Sequence, residues 1–455
     1  VTDAAAPVVT YSAMFDADLN GKIDSMSVVF SENLKTGSGL FFTAGDFGIN
    51  GYSVFSMDST LQDTVQFVLT ELAYFDTDSV ATIDFLDPSK FEDLAGNILV
   101  DTTVIANDSA ALVITEAYTH DNDGNGQLDS ISVYFSEPIL NGADGTIDFV
   151  LGGTFSGRTL TAVSSGVDSV AVFTFNEVGI HNTDSVPTID YSGSANLLDV
   201  SGNGYNNFNS PFTPTDAAAP VLVFAISLDK DSTGVVESIE LEFSEPVDTV
   251  ILKANLADWV VSDYRRGTSV AINDFENLVD SISGTSVFGD RFYTLLISPE
   301  DTDLGTGDLL LDYSSGAAIY DSAGLNILLD ISSFSIEDRA APQILSESRS
   351  PAVNSYIDVV FSELISGSGT GGSPSLGDFD LEFDVNAFGS GTATDITFGS
   401  NITDINDALL SAPEDTVRFS LTQSGSANGN EGVRIFAQSQ TSIFDNYPSY
   451  LYDST

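Results

Sequence analysis

The sequence predicts an all-β chain of four tandem antiparallel β-sandwich domains in an elongated array, and three observations carry that prediction. Phe-Ser-Glu occurs four times, beginning at Phe30, Phe135, Phe243 and Phe361, at intervals of 105, 108 and 118 residues. Two further markers keep a fixed order around it. Upstream stands Asp-x-Ala-Ala: Asp3 to Pro7, Asp108 to Leu112, Asp216 to Pro220 and Asp338 to Pro342. Downstream stands an Asp-centred turn: Asp93 to Asn97, Asp199 to Asn203, Asp321 to Gly324, and a worn copy at Asp445-Asn446. Repetition at such a period marks a string of similar units, with boundaries at 1–107, 108–215, 216–337 and 338–455.

Taken in order, the first period begins with a strand at Val8 to Tyr11 and an acidic loop from Asp16 to Gly21. Ile23 to Phe30 then alternates as a half-buried strand does, with Met26, Val28 and Phe30 on one face. Phe41-Phe42, Tyr52 to Met57, Val65 to Leu69, Val80 to Phe85 and Ile98 to Ile105 are further β-branched and aromatic runs. Gly, Asn, Asp and Ser separate them, and no long 3.6-residue period appears. About seven short strands per hundred residues is the pattern of an antiparallel sandwich. Thr77-Asp78-Ser79-Val80 is echoed by Thr183-Asp184-Ser185-Val186, so the second period follows the first closely. The third and fourth are longer. The third carries Trp259 with Tyr264, Arg265 and Arg266, and the fourth a Gly/Ser-rich stretch from Gly367 to Gly372.

The 455 residues hold 13 Lys and Arg against 67 Asp and Glu, a formal charge of −54. Such a surface repels phosphate backbones and anionic lipid, so nucleic acid is excluded as a partner. It draws cations, and it also suits solubility or life in salt. With 31 Phe the chain is too aromatic to be a disordered acidic polymer. There is no cysteine, so stability rests on cores and metal with no disulfide staples. No apolar run reaches the length of a membrane span, which speaks against membrane insertion. Val1 opens no signal peptide, and the chain reads as a mature or excised piece whose export signal or anchor lies elsewhere.

The strongest chemical signal is the first loop. Asp16, Asp18, Asn20, Lys22 and Asp24 stand at positions 1, 3, 5, 7 and 9, with Gly21 at 6. Asp121, Asp123, Asn125, Gln127 and Asp129 repeat the spacing around Gly126, and Asp229, Asp231, Thr233 and Glu237 form a weaker third copy. This resembles the opening of an EF-hand loop, in which alternate side chains converge on calcium and glycine permits the turn. The Glu expected at position 12 is missing; Ser27 and Ser132 stand there. The competing reading is a polar hairpin whose Asp and Asn satisfy turn amides.

A second candidate is the joints. Asp108, Asp216 and Asp338 precede periods two to four, while Glu32, Glu137, Glu245 and Glu363 end a strand in each, and Asp93, Asp199 and Asp321 sit in the late turn. Carboxylates recurring near domain ends are placed to share an ion, or else to cap loop amides. Catalysis finds little support. His120 and His181 are the only histidines and read as surface residues in polar turns, and no phosphate loop or zinc spacing occurs. The Trp259 cluster reads either as a glycan contact or as a core tryptophan flanked by snorkelling arginines.

The Ala-Ala-Pro opening, the Phe-Ser-Glu strand end and the Asp-x-x-Gly-Asn turn resemble the bacterial Ig-like repeats of surface-layer proteins and large adhesins. That resemblance implies four Ig-like sandwiches on the cell exterior, acting as structural or spacing units, often with calcium, and it supplies no catalytic residues. The function expected is a non-catalytic, calcium-stabilised structural subunit of an extracellular cell-surface layer or filament, self-associating into a lattice. The alternatives are an adhesin stalk and a carbohydrate-binding surface protein using the third module.

Overall fold

The computed structural model describes residues 3–35, 42–140, 149–162, 167–191, 197–206, 211–229, 236–248, 252, 254–263, 268–277, 290–297, 309–314, 318–321, 323–339, 342–349, 355–367, 372–439 and 442–445. They are strands, turns and single 3-10 turns, with a helical turn at Leu252 and Ala254, so the protein is all-β. The chain falls into two compact units, Val1–Ala218 and Ala219–Thr455.

In the first unit, β1 (Val9–Phe15), β2 (Ser25–Phe30), β3 (Phe47–Ile49), β4 (Ser53–Asp58), β5 (Thr64–Thr70), β6 (Thr82–Phe85), β7 (Thr103–Ile105) and β8 (Asn107–Asp108) form two sheets, ordered β4-β5-β2-β1-β8 and β3-β6-β7. The plan then repeats. β9 (Ile114–His120), β10 (Ser130–Ile139), β11 (Phe149–Leu151), β12 (Thr161–Ala162), β13 (Asp168–Thr174), β14 (Ile189–Tyr191) and β15 (Thr215–Asp216) give β12-β13-β10-β9-β15 and β11-β14. β2 alternates as expected: Met26, Val28 and Phe30 are buried and the residues between them are not. Two separate apolar cores result, one reaching from Met14 to Ala110 and the other from Leu112 to Ala218.

The second unit holds two further cores, Leu222 to Ile336 and Ile357 to Phe419. Around the first of these the two layers are continuous. Strand Trp259–Asp263 pairs with Thr268–Asn277 and closes an eight-stranded sheet. The second is covered by strands Ile344–Arg349, Tyr356–Gly367, Asp395–Thr403 and Glu414–Ser424, with Phe379–Asp384 paired to Gly432–Ala437 opposite.

The strictly antiparallel expectation needs correcting. The linker strands β8, β15 and Glu337–Asp338 each add in parallel to the first strand of the sheet before them. Two residues suffice for this pairing, and it fastens the linker Asp to the preceding core.

Phe-Ser-Glu has a mechanical explanation. Each Phe is buried. Each Ser bonds twice to the start of the neighbouring strand: the hydroxyls of Ser31, Ser136, Ser244 and Ser362 accept from the amides of Val8, Val113, Val221 and Gln343. The amides of the same serines donate to the carbonyls of the same four residues. This two-bond clamp fixes where the linker ends and the sandwich begins, and it satisfies backbone groups where the ladder register shifts.

Candidate functional site

In the first loop Asp16, Asp18 and Asp24 bring carboxylate oxygens within 4.8 Å of one another. Gly21 takes φ +89°, and a Cβ there would stand 2.8 Å from the Phe75 ring, so this position requires glycine. The side chains are already at work on the turn. Asp16 accepts from the amides of Asn20 and Gly21, Asp18 from Asn20, and Asp24 from Ala17. Burial pushes the Asp16 carboxyl up, against those amide bonds.

The second loop has the same backbone. Gly124, at φ +71°, takes the left-handed place that Leu19, at φ +62°, occupies in the first. Its carboxylate group differs, however. Asp123 and Asp129 converge with Glu177, and Asp121 is not part of that group. Asp121 instead accepts from the amides of Gly124, Asn125 and Gly126, and burial raises its carboxyl.

Glu177 and its counterpart Glu71 were not foreseen from the spacing. Each receives the Asn side-chain amide of loop position 5, Asn125 and Asn20 respectively. Glu177 also joins the carboxylate group of its loop, whereas Glu71 does not. Ser132, at that twelfth position, turns to His120 instead, with Nε2 and Oγ 2.7 Å apart. Lys22 explains the contrast between the loops. Its ammonium lies 3.9 Å from Glu71, a partly exposed pair that occupies that carboxylate weakly. Gln127 brings no such charge, and its Oε1 is buried without a hydrogen-bond partner. The second loop therefore lacks the compensating positive charge of the first. In the third copy Asp229 and Glu237 flank a hairpin, while Asp231 and Thr233 lie outside the described residues.

The joint carboxylates meet. Asp108, Glu137 and Asp199 have oxygens within 4.8 Å of one another, as do Asp3, Glu32 and Asp93. The turn Asp docks on the segment just past Phe-Ser-Glu through the bridges Leu34↔Asp93 and Ile139↔Asp199, which brings it to the Glu. Asp93 and Asp199 hold their turns as an Asx cap does, accepting from the Asn97 and Asn203 amides and side chains. Burial works to raise the Asp93 carboxyl, but bonds from Asn97, Gly96 and Ala95 outweigh it and hold it below its ordinary value. Asp3 and Asp108 likewise accept from the amides two residues on.

The two clusters differ in cover. Asp3 and Glu32 open to a cleft lined by Asn33, Leu94 and Ala95. Glu137 is only 3% exposed, and a turn of the first repeat reaches it, with the Thr77 hydroxyl donating to Ser136 Oγ at 2.7 Å. Burial, and then the charges of Asp199 and Asp108, push the Glu137 carboxyl up to about 8. Like charges at this spacing repel by roughly 3 kcal/mol per pair at an interior screening of about 20. Among the described residues no ion pair includes any of the three.

The structure decides between the two readings of Trp259 and corrects the surface reading of His120. Trp259 is 1% exposed, its ring 4.6 Å from Tyr313 and 6.3 Å from Phe243. It is a core residue, so a glycan contact through it is ruled out; Tyr264, Arg265 and Arg266 lie outside the described residues. His120 is half-buried at the end of β9, and burial lowers its pKa. Its partner Ser132 is buried too, which keeps that pair from a substrate.

No protein-family profile matches the chain, and no curated protein does. Among solved structures it is similar to the N-terminal part of the bacterial S-layer protein SbsC, at 14% identity over 46% of this chain and 44% of that one, with a TM-score of 0.19. Domains 1–6 of surface layer protein SbsC match at 12% over 95% and 54%, also at 0.19. InvD of Yersinia pseudotuberculosis matches at 12% over 71% and 98%, at 0.17. The chain spans about half the length of the S-layer structures it matches. The likeness is too loose to carry a residue, a ligand or a role across.

Proposed function

We propose that the chain is a non-catalytic structural subunit of an extracellular cell-surface assembly, a layer or filament built by self-association. Four Ig-like modules, 1–107, 108–215, 216–337 and 338–455, supply rigid length, and calcium stabilises their acidic turns. The observation that supports this most is that the fourfold repeat preserves scaffold: a core Phe and a Ser clamp in every copy, with an Asp turn beside it in the first three. The four separate cores fit the same division.

Charge sets the condition for assembly. At −54, subunits repel unless cations or salt intervene. In calcium at low ionic strength the full chain is expected to sediment as large assemblies, and chelator should return it to single subunits. Assemblies that persist unchanged in chelator at low salt, or a chain that stays monomeric with calcium, overturn the reading.

A further inference from the structure

We propose that Asp108, Glu137 and Asp199 form a divalent-cation site of the calcium class at the junction of the first two repeats, separate from the acidic loops. The cluster is more than a concentration of acid. Glu137 Oε1 is buried and has no hydrogen-bond partner, on a side chain whose carboxylate group lies within 4.8 Å of the other two. A buried oxygen left without a donor needs a positive ligand to offset its lost hydration.

The other two carboxylates keep capacity to spare. Asp108 Oδ1 accepts one amide, from Ala110. Asp199 accepts from the Asn203 amide on one oxygen and from the Asn203 side chain on the other, leaving a lone pair on each. All the donors are hard oxygen atoms, which selects calcium over metals that prefer nitrogen or sulfur. Water completes the shell on the half-buried Asp108 side.

The placement gives the ion a mechanical task. Asp108 belongs to β8, which is paired to β1, and Ser109 donates to the Met14 carbonyl. Glu137 and Asp199 belong to the second core's frame, at the end of β10 and at the turn bridged to Ile139. One ion would tie the last strand of one repeat to the second strand of the next.

The test is hydrogen exchange on the full chain, with and without calcium, for wild type, Glu137→Gln, Asp108→Asn and an Asp18→Asn/Asp123→Asn loop variant. In wild type, calcium should slow the Ser109, Ala110 and Val113 amides about tenfold or more. The loop variant should keep that effect, and both joint variants should lose it. Asp108→Asn serves as the second reading should Glu137→Gln fold poorly. Wild-type amides indifferent to calcium, or joint variants protected as wild type is, overturn the site. The inference rests on the modular reading for its two joined repeats. A failure here with calcium-driven assembly intact would leave the proposed function standing.

Discussion

Replacing Trp259 by alanine is expected to destabilise the second unit by about 3–5 kcal/mol, the range for deleting a large buried aromatic. The ring fills the core between Phe243 and Tyr313, and its strand pairs directly with Leu309–Tyr313. Denaturant unfolding, with hydrogen exchange followed on Ser238–Val247 and Leu309–Tyr313, gives the number. A cost below about 1 kcal/mol would contradict a core role.

The second large effect concerns pH in the metal-free protein. Folding lifts the Glu137 carboxyl from an ordinary 4.5 to about 8, so between those values the unfolded chain releases a proton that the folded chain keeps. Stability from this group is therefore fully present below pH 4.5, declines as pH rises, and is lost once pH passes 8. At 1.36 kcal/mol per pH unit the span amounts to roughly 5 kcal/mol at most. In chelator, the first unit of the wild type should weaken progressively from pH 5 to pH 8, measured by denaturant midpoint with exchange in β10. Glu137→Gln cannot ionise and should flatten that decline. Parallel pH curves for the two proteins would remove Glu137 as its source.

Much of this was legible in the sequence because it is local or periodic. The Phe-Ser-Glu strand, its alternation and the acidic loop follow from spacing alone, and β2 and β5 lie within a residue or two of their expected ends. What escaped depends on partners far along the chain. The clamp on Ser136 is completed 23 residues away, and Glu71 and Glu177 reach their loops from 51 and 52 residues on. That near-identical offset was the available signal.

The short strand β3 was missed, and Trp259 was left between two readings, for the same reason. Gly45-Asp46-Phe47, Asp148-Phe149, Ala257-Asp258-Trp259 and Gly377-Asp378-Phe379 are one repeated step. In it a buried aromatic opens the second layer; before Phe47, Trp259 and Phe379 the step is a 3-10 turn ending in Asp. Read as a repeat, it places Trp259 beside three core phenylalanines. The run Ile98 to Ile105 overreached, since only Thr103–Ile105 pairs as a strand. Ile98 makes only an isolated bridge to Glu92, and both it and Val100 are exposed.

The claim that joins these findings is that divalent cations hold the acidic turns and joint of the first unit in place. Its most direct test is the thermal unfolding of the full chain at constant ionic strength, in chelator and in calcium at about a thousandfold excess over its dissociation constant. Binding to the folded state alone adds about 4 kcal/mol at that excess, which raises the transition of a unit this size by roughly 10 °C. Superimposable transitions in chelator and calcium would contradict the account.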